Sequence, residues 1–243
     1  MSGLPVLQDP PAVHVAGEIE RALLALWPVA RERLWQPRHL AAIVRLRRRF
    51  ALRPLRLGEL KVMAPRSTVP DCEACTDICC TGSNARVSLR LRDIAALVDR
   101  GLDAHITHDL PDGKLRTATW ARREADGSVF HRAFPVLSRD ATQTCTLLTG
   151  DRTCGAFPDW PLSCARYPYA LDLESKVVFY AKSCQSTQLL PAGEAAPRVQ
   201  SLVRAVVDAY NARIQDVVML HLARTELAEL GLLRFVNLDA LDA

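Results

Sequence analysis

A chain of 243 residues that is 49% hydrophobic can bury a core of its own, so its eight cysteines are not needed as staples for a miniature fold. The net charge of +4 is mild, and no run of about twenty uncharged apolar residues occurs, which excludes a helical membrane span. The segment Met1 to Pro11 lacks a basic stretch followed by an apolar core and a small-residue cleavage site, so the expected setting is cytoplasmic. In a reducing compartment an even cysteine count reads as metal binding or catalysis before it reads as a disulfide framework.

Three blocks are expected: an N-terminal helical segment over 1–64, a cysteine-bearing domain over 65–190 and a C-terminal helical segment over 191–243. In the first, Ile19, Ala22, Leu23, Leu24, Ala25 and Leu26 recur at helical spacing, and Pro28 should kink or end that helix. Pro37 suits the first turn of a second helix carrying Leu40, Ile43, Val44 and Phe50. The arginines Arg45, Arg47, Arg48, Arg49, Arg53 and Arg56 could touch an anionic surface. No aromatic interleaving or nucleic-acid module accompanies them, so they read as a solvated face and no nucleic-acid partner is expected.

Ala64 to Asp71, with two prolines beside Ser67 and Thr68, reads as a linker delivering the chain to the first cysteines. Ser88 or Arg90 should open a helix through Ile94, Ala95, Leu97 and Val98, which Gly101 would stop. Between Leu115 and Leu137, two strand-like runs flank Asp126 and Gly127, a short hairpin signal. Tyr169 to Leu173 and Val177 to Ala181 form a further strand pair. In the last block Val199, Leu202, Val203, Val206 and Tyr210 share one helical stripe, and Ile214, Val217, Val218, His221 and Leu222 another; both serve packing. The expected class is α+β, a cysteine-rich, metal-stabilised core with small antiparallel strands flanked by helices.

The chemistry lies in the middle block. Cys72, Cys75, Cys79 and Cys80 form a Cys-x2-Cys-x3-Cys-Cys group, followed by Cys145, Cys154, Cys164 and Cys184. Close pairs on a turn let two thiolates face one ion, and distant cysteines complete the shell when the fold closes. All eight are candidate ligands, in one site or two, with Cys79 and Cys80 suited to different ions or roles because adjacent side chains diverge. Soft sulfur suits zinc and an iron-sulfur cluster, such as a 4Fe-4S centre, alike.

Four thiolates around a doubly charged ion or cluster leave a net charge of about −2. Arg86, Arg90, Arg166 and Lys182 stand near cysteines in sequence and are candidates to offset it. His105 and His108 could add ligands but read as solvated turn residues; His14, His39, His131 and His221 lack metal-type spacing, and His221 looks like a packing position.

The opening Cys72-x2-Cys75-x3-Cys79-Cys80, then Cys145 before Leu147 and Leu148, then Cys154, then Pro161-x2-Cys164 with Tyr167-Pro168, resembles the YkgJ-like cysteine-cluster family of zinc- or iron-chelating domains. The resemblance spans Cys72 to Cys184 and implies metal chelation by the cysteines. It departs from the family where Trp160 stands before Pro161 and Ala165 after Cys164, positions at which the family usually carries arginine; Arg166 follows one place later. A more distant likeness, to the flagellin lysine methylase group, implies an iron-sulfur cluster and one enzymatic use of the scaffold.

The sequence carries no glycine-rich phosphate or adenosine loop to support methyl transfer. Cys72, Cys75 and Cys79 run in the reverse order of a radical-enzyme motif, and Asp71, Glu73 and Asp77 would raise rather than lower the thiol pKa of a redox pair. The expectation is a metal-binding protein holding zinc or an iron-sulfur cluster. A cluster-dependent methyl-transfer or redox enzyme, and a metal-stabilised module docking a protein through its helical flanks, are the alternatives.

Overall fold

The computed structural model describes residues 16–39, 41, 44, 54–63, 68–70, 80–81, 87–108, 133–150, 153–157, 159–180, 184 and 187–239. Its elements are α1 (Glu18–Arg33), β1 (Lys61–Met63), β2 (Thr68–Pro70), α2 (Leu91–Asp99), β3 (Ile106–Thr107) and β4 (Val136–Leu137), then α3 (Leu162–Ala165), β5 (Tyr169–Asp172), β6 (Val177–Tyr180), β7 (Thr187–Leu189), α4 (Ala192–Leu222) and α5 (Arg224–Glu229). The chain is therefore α+β. No helix among the described residues is long and apolar enough to cross a membrane.

Helix α1 buries Leu23 and Leu26 of the expected stripe together with Ala30, whereas Leu24 and Ala25 are exposed. It runs through Pro28 to Arg33, so the proline does not end it. Its N-cap residue, Gly17, has no side chain to satisfy the first N–H groups, which α2 satisfies instead. The Asp99 carboxylate accepts from Ile19 N and Glu20 N, both at 2.9 Å. Gly17 is required here by close approach, since a Cβ would sit 2.3 Å from Asp99 Cγ. Buried Glu20 accepts from Arg92 Nε at 2.7 Å, tying α1 to α2 a second time. The helix expected from Pro37 begins as a 3-10 turn, Pro37–His39; Leu40, Ile43 and Phe50 lie outside the described residues.

Helix α2 starts after Arg90, whose N–H is accepted by Asp93 Oδ2 at 2.8 Å. It stops at Gly101, with φ +68°: Gly101 N bonds Val98 O and Leu102 N bonds Leu97 O, the paired bonds of a left-handed glycine stop. The strand pair expected at Tyr169 and Val177 is present as antiparallel β5 and β6. Against their edge lies β1, parallel to β6, so the sheet order is β1-β6-β5 and this sheet is mixed rather than wholly antiparallel. Thr68–Pro70 is a correction to the expected linker: it forms β2, antiparallel to β7, because a partner from far along the chain supplies the ladder. β4 pairs with β3, while the turn expected at Asp126 and Gly127 lies outside the described residues.

The two apolar stripes of the last block lie on one 31-residue helix, α4, about 46 Å long. Its C-terminal half, through Val217 and Leu220, joins Leu23, Leu91, Ile94 and Phe134 in the main core, and Cys145 is buried in the same cluster. Its middle covers the mixed sheet, where Val203 and Val206 meet Tyr169 and Val178.

Candidate metal centre

Two successive tight loops carry Cys145 and Cys154. In the first, Asp140 Oδ1 accepts from Thr142 N, Thr142 Oγ1 and Thr144 N, closing the turn that leads into Cys145. These donors hold the Asp140 carboxyl below its ordinary pKa. Arg139 bridges antiparallel to Cys145, and Thr146 N bonds Ser138 O at 3.1 Å. In the second loop Leu148 bridges to Cys154, Thr149 N bonds Thr153 O at 2.9 Å, and Gly155 N bonds Leu147 O at 2.7 Å. A side chain at 155 would bring its Cβ to 3.3 Å from that carbonyl, so glycine permits the close approach.

The first cysteine group reaches these loops through Cys80, whose carbonyl accepts from Cys145 N at 2.7 Å. Cys145 is 5% exposed, and Cys80 and Cys154 are partly buried against the same core. Arg100, from the end of α2, fixes the stretch after Cys154: it donates to the carbonyls of Ala156 at 2.6 Å, Gly155 at 2.9 Å and Phe157 at 3.3 Å. Cys145 thus belongs to the main core, and Cys80 and Cys154 pack against it.

Cys164 stands on α3, which is anchored by α2 and by the residues before it: Leu162 N donates to Asp93 Oδ1 at 2.9 Å, and Ser163 Oγ to Ser88 O at 2.8 Å. Tyr167 N returns to Cys164 O at 3.0 Å. Cys184 neighbours Tyr180; burial first, then the Cys184 thiol, raise the Tyr180 hydroxyl pKa. Tyr167 also acts on that hydroxyl, more weakly.

No disulfide joins two of the described cysteines. Among the described residues no three His, Cys, Asp or Glu side chains form a metal-sized group; Cys72, Cys75 and Cys79 lie outside them. So do His14, His131, Arg86 and Lys182. The described histidines are engaged elsewhere. His105 Nδ1 lies 2.8 Å from Thr146 Oγ1, while His108 Nε2 donates to Phe235 O at 3.0 Å and His221 Nδ1 to Val217 O at 2.8 Å. His39 Nε2 accepts from Arg38 at 3.1 Å.

Sequence reasoning singled out Arg90 and Arg166, which line one cavity; it missed buried Arg213, which lines it with them. Arg213 and Asp216 are the charged residues among the buried positions of that helix, beside Tyr210, Ile214 and Val217. Buried Asp93 and Asp216 were missed too. Burial raises Asp93 to about 6 against the opposing N–H groups of Leu162 and Arg90, and raises Asp216 to about 7 against the charge of Arg90. Comparison with protein-family models, curated proteins and solved structures finds no match to this chain.

Proposed function

We propose that this chain is a metal-binding protein whose cysteines hold zinc or an iron-sulfur cluster. The observation that carries the reading is the backbone pairing of Cys80 with Cys145, which brings the end of the dense cysteine group to the loops bearing Cys145 and Cys154. Partly buried thiols carried on hydrogen-bonded loops suit soft metals. The metal would cross-link segments that otherwise meet through a few backbone bonds, and Cys72, Cys75 and Cys79 would supply the remaining ligands. The motif spacing and its resemblance to cysteine-cluster chelating domains support the same reading.

The test is metal analysis and a visible absorption spectrum of protein purified without oxygen. Stoichiometric zinc without colour, or iron with a brown charge-transfer band, is expected. Substoichiometric amounts of both metals would overturn the reading.

A further inference from the structure

We propose that α1 is the contact surface for a second copy of this chain, pairing antiparallel with the same helix of that copy. The helix carries two apolar stripes. One packs inward, through Leu23, Leu26 and Ala30, where α1 meets α2 and α4. The other looks outward: Leu24 is 46% and Val29 44% exposed, with exposed Ala25 and Pro28 between them. Trp35, 74% exposed, stands just past the end of the helix. A helix that packs on one core needs one apolar stripe, and a contiguous second stripe in water is stabilised by covering it.

The charges at the two ends of the outward stripe select what covers it. Arg21 lies one turn before Leu24 and Ala25, and Glu32 one turn after Pro28 and Val29. Both are exposed, and the three- and four-residue steps put them on the same face as the apolar four. A twofold axis between Leu26 and Trp27 sets Arg21 of each copy against Glu32 of the other, Leu24 against Val29, and Ala25 against Pro28. The stripe is therefore complementary to itself when reversed, as a closed isologous contact requires. A parallel pairing would set Arg21 against Arg21 and Glu32 against Glu32, which repel. Arg21 Nε donates to Gly17 O at 3.2 Å, and the guanidinium carries further N–H groups for a carboxylate.

One helix pair buries less than the roughly 1,200–2,000 Å² of standard stable interfaces, so the expected dimer is reversible. Sedimentation of the full-length protein across the micromolar range, with reductant to prevent intermolecular disulfides, should show a monomer–dimer equilibrium. Arg21→Glu and Glu32→Arg should each weaken it about five- to tenfold, because two attractive pairs per dimer become repulsive. An equimolar mixture of these two variants should restore association, since each glutamate at the contact then faces an arginine. Leu24→Ser should weaken self-association, whereas Leu189→Ser, at an equally exposed apolar position on β7, should leave it unchanged.

A monomer at every concentration overturns the proposal, whatever else then covers the stripe. So does a dimer that is indifferent to both charge reversals or to Leu24→Ser, or one that Leu189→Ser disrupts. A mixture of the reversed variants that associates no better than either alone overturns the antiparallel pairing. Should Leu24→Ser fail to fold, the mixture of the two surface-charge variants decides.

Discussion

The backbone N–H of Cys145 donates to the carbonyl of Cys80 at 2.7 Å, joining the dense cysteine group to a cysteine buried in the main core. A buried cysteine can serve as a small apolar residue or as a ligand, and substitution separates these roles. Cys145→Val keeps the volume and apolar character. If Cys145 is a ligand, both Cys145→Val and Cys145→Ser lose at least half the bound metal, and Cys80→Ser does the same. Elemental analysis checks this; full metal content in Cys145→Val would leave packing as the residue's role.

Arg100 is the clamp on the loop following Cys154. Its three donated bonds go to backbone carbonyls that only a forked cation spans together. Arg100→Gln should destabilise the fold by roughly 1–3 kcal/mol in urea unfolding. Arg100→Lys should recover only part of that loss, and equal stability of lysine and wild type would contradict the clamp.

The Gly17 and Asp99 contact makes a sharper test of how α1 docks. A methyl group at residue 17 must displace the carboxylate that caps the helix. Gly17→Ala should therefore cost about 1–2 kcal/mol, although alanine elsewhere usually favours helices. Asp99→Ala should cost a similar amount, and the double variant should cost less than the sum because both remove one interaction.

Asp216 predicts a stability that falls with rising pH. Its folded pKa is raised to about 7 by burial, whereas the unfolded carboxyl titrates near about 3.9. Between these values the unfolded chain has released the proton that the folded chain retains, so stability is greatest below about pH 4 and declines through about pH 7. Asp93, raised to about 6, adds in the same direction. Asp216→Asn should flatten this decline and gain of the order of 2 kcal/mol relative to wild type at pH 8, with no gain at pH 4. Urea unfolding at the two pH values, comparing variant with wild type at each, checks it.

Much of the fold was legible because its signals are local. Helix α2 could be read from Arg90 to Gly101 since its start and stop lie within a few residues of its apolar stripe, and β5 and β6 since they flank one short turn. What escaped depends on distant partners. Thr68–Pro70 reads as a proline-rich linker until β7 pairs with it, and nothing near Gly17 announces that Asp99 caps α1. Pro28 fails as a stop because α1 continues to Arg33 with Ala30 buried beyond it. For the candidate site, spacing in the sequence proposes the cysteines, whereas the pairing of Cys80 with Cys145 and the loop that carries Cys154 depend on the fold around Asp140 and Arg100. Arg213 was hidden because an isolated arginine in a long helix reads as surface until burial is known.

X-ray absorption at the metal edge of protein purified without oxygen tests the central claim most directly, since it reads the atoms bound to the metal. The account predicts a first shell of sulfur, at about 2.3 Å for zinc. A shell of nitrogen and oxygen alone would contradict it.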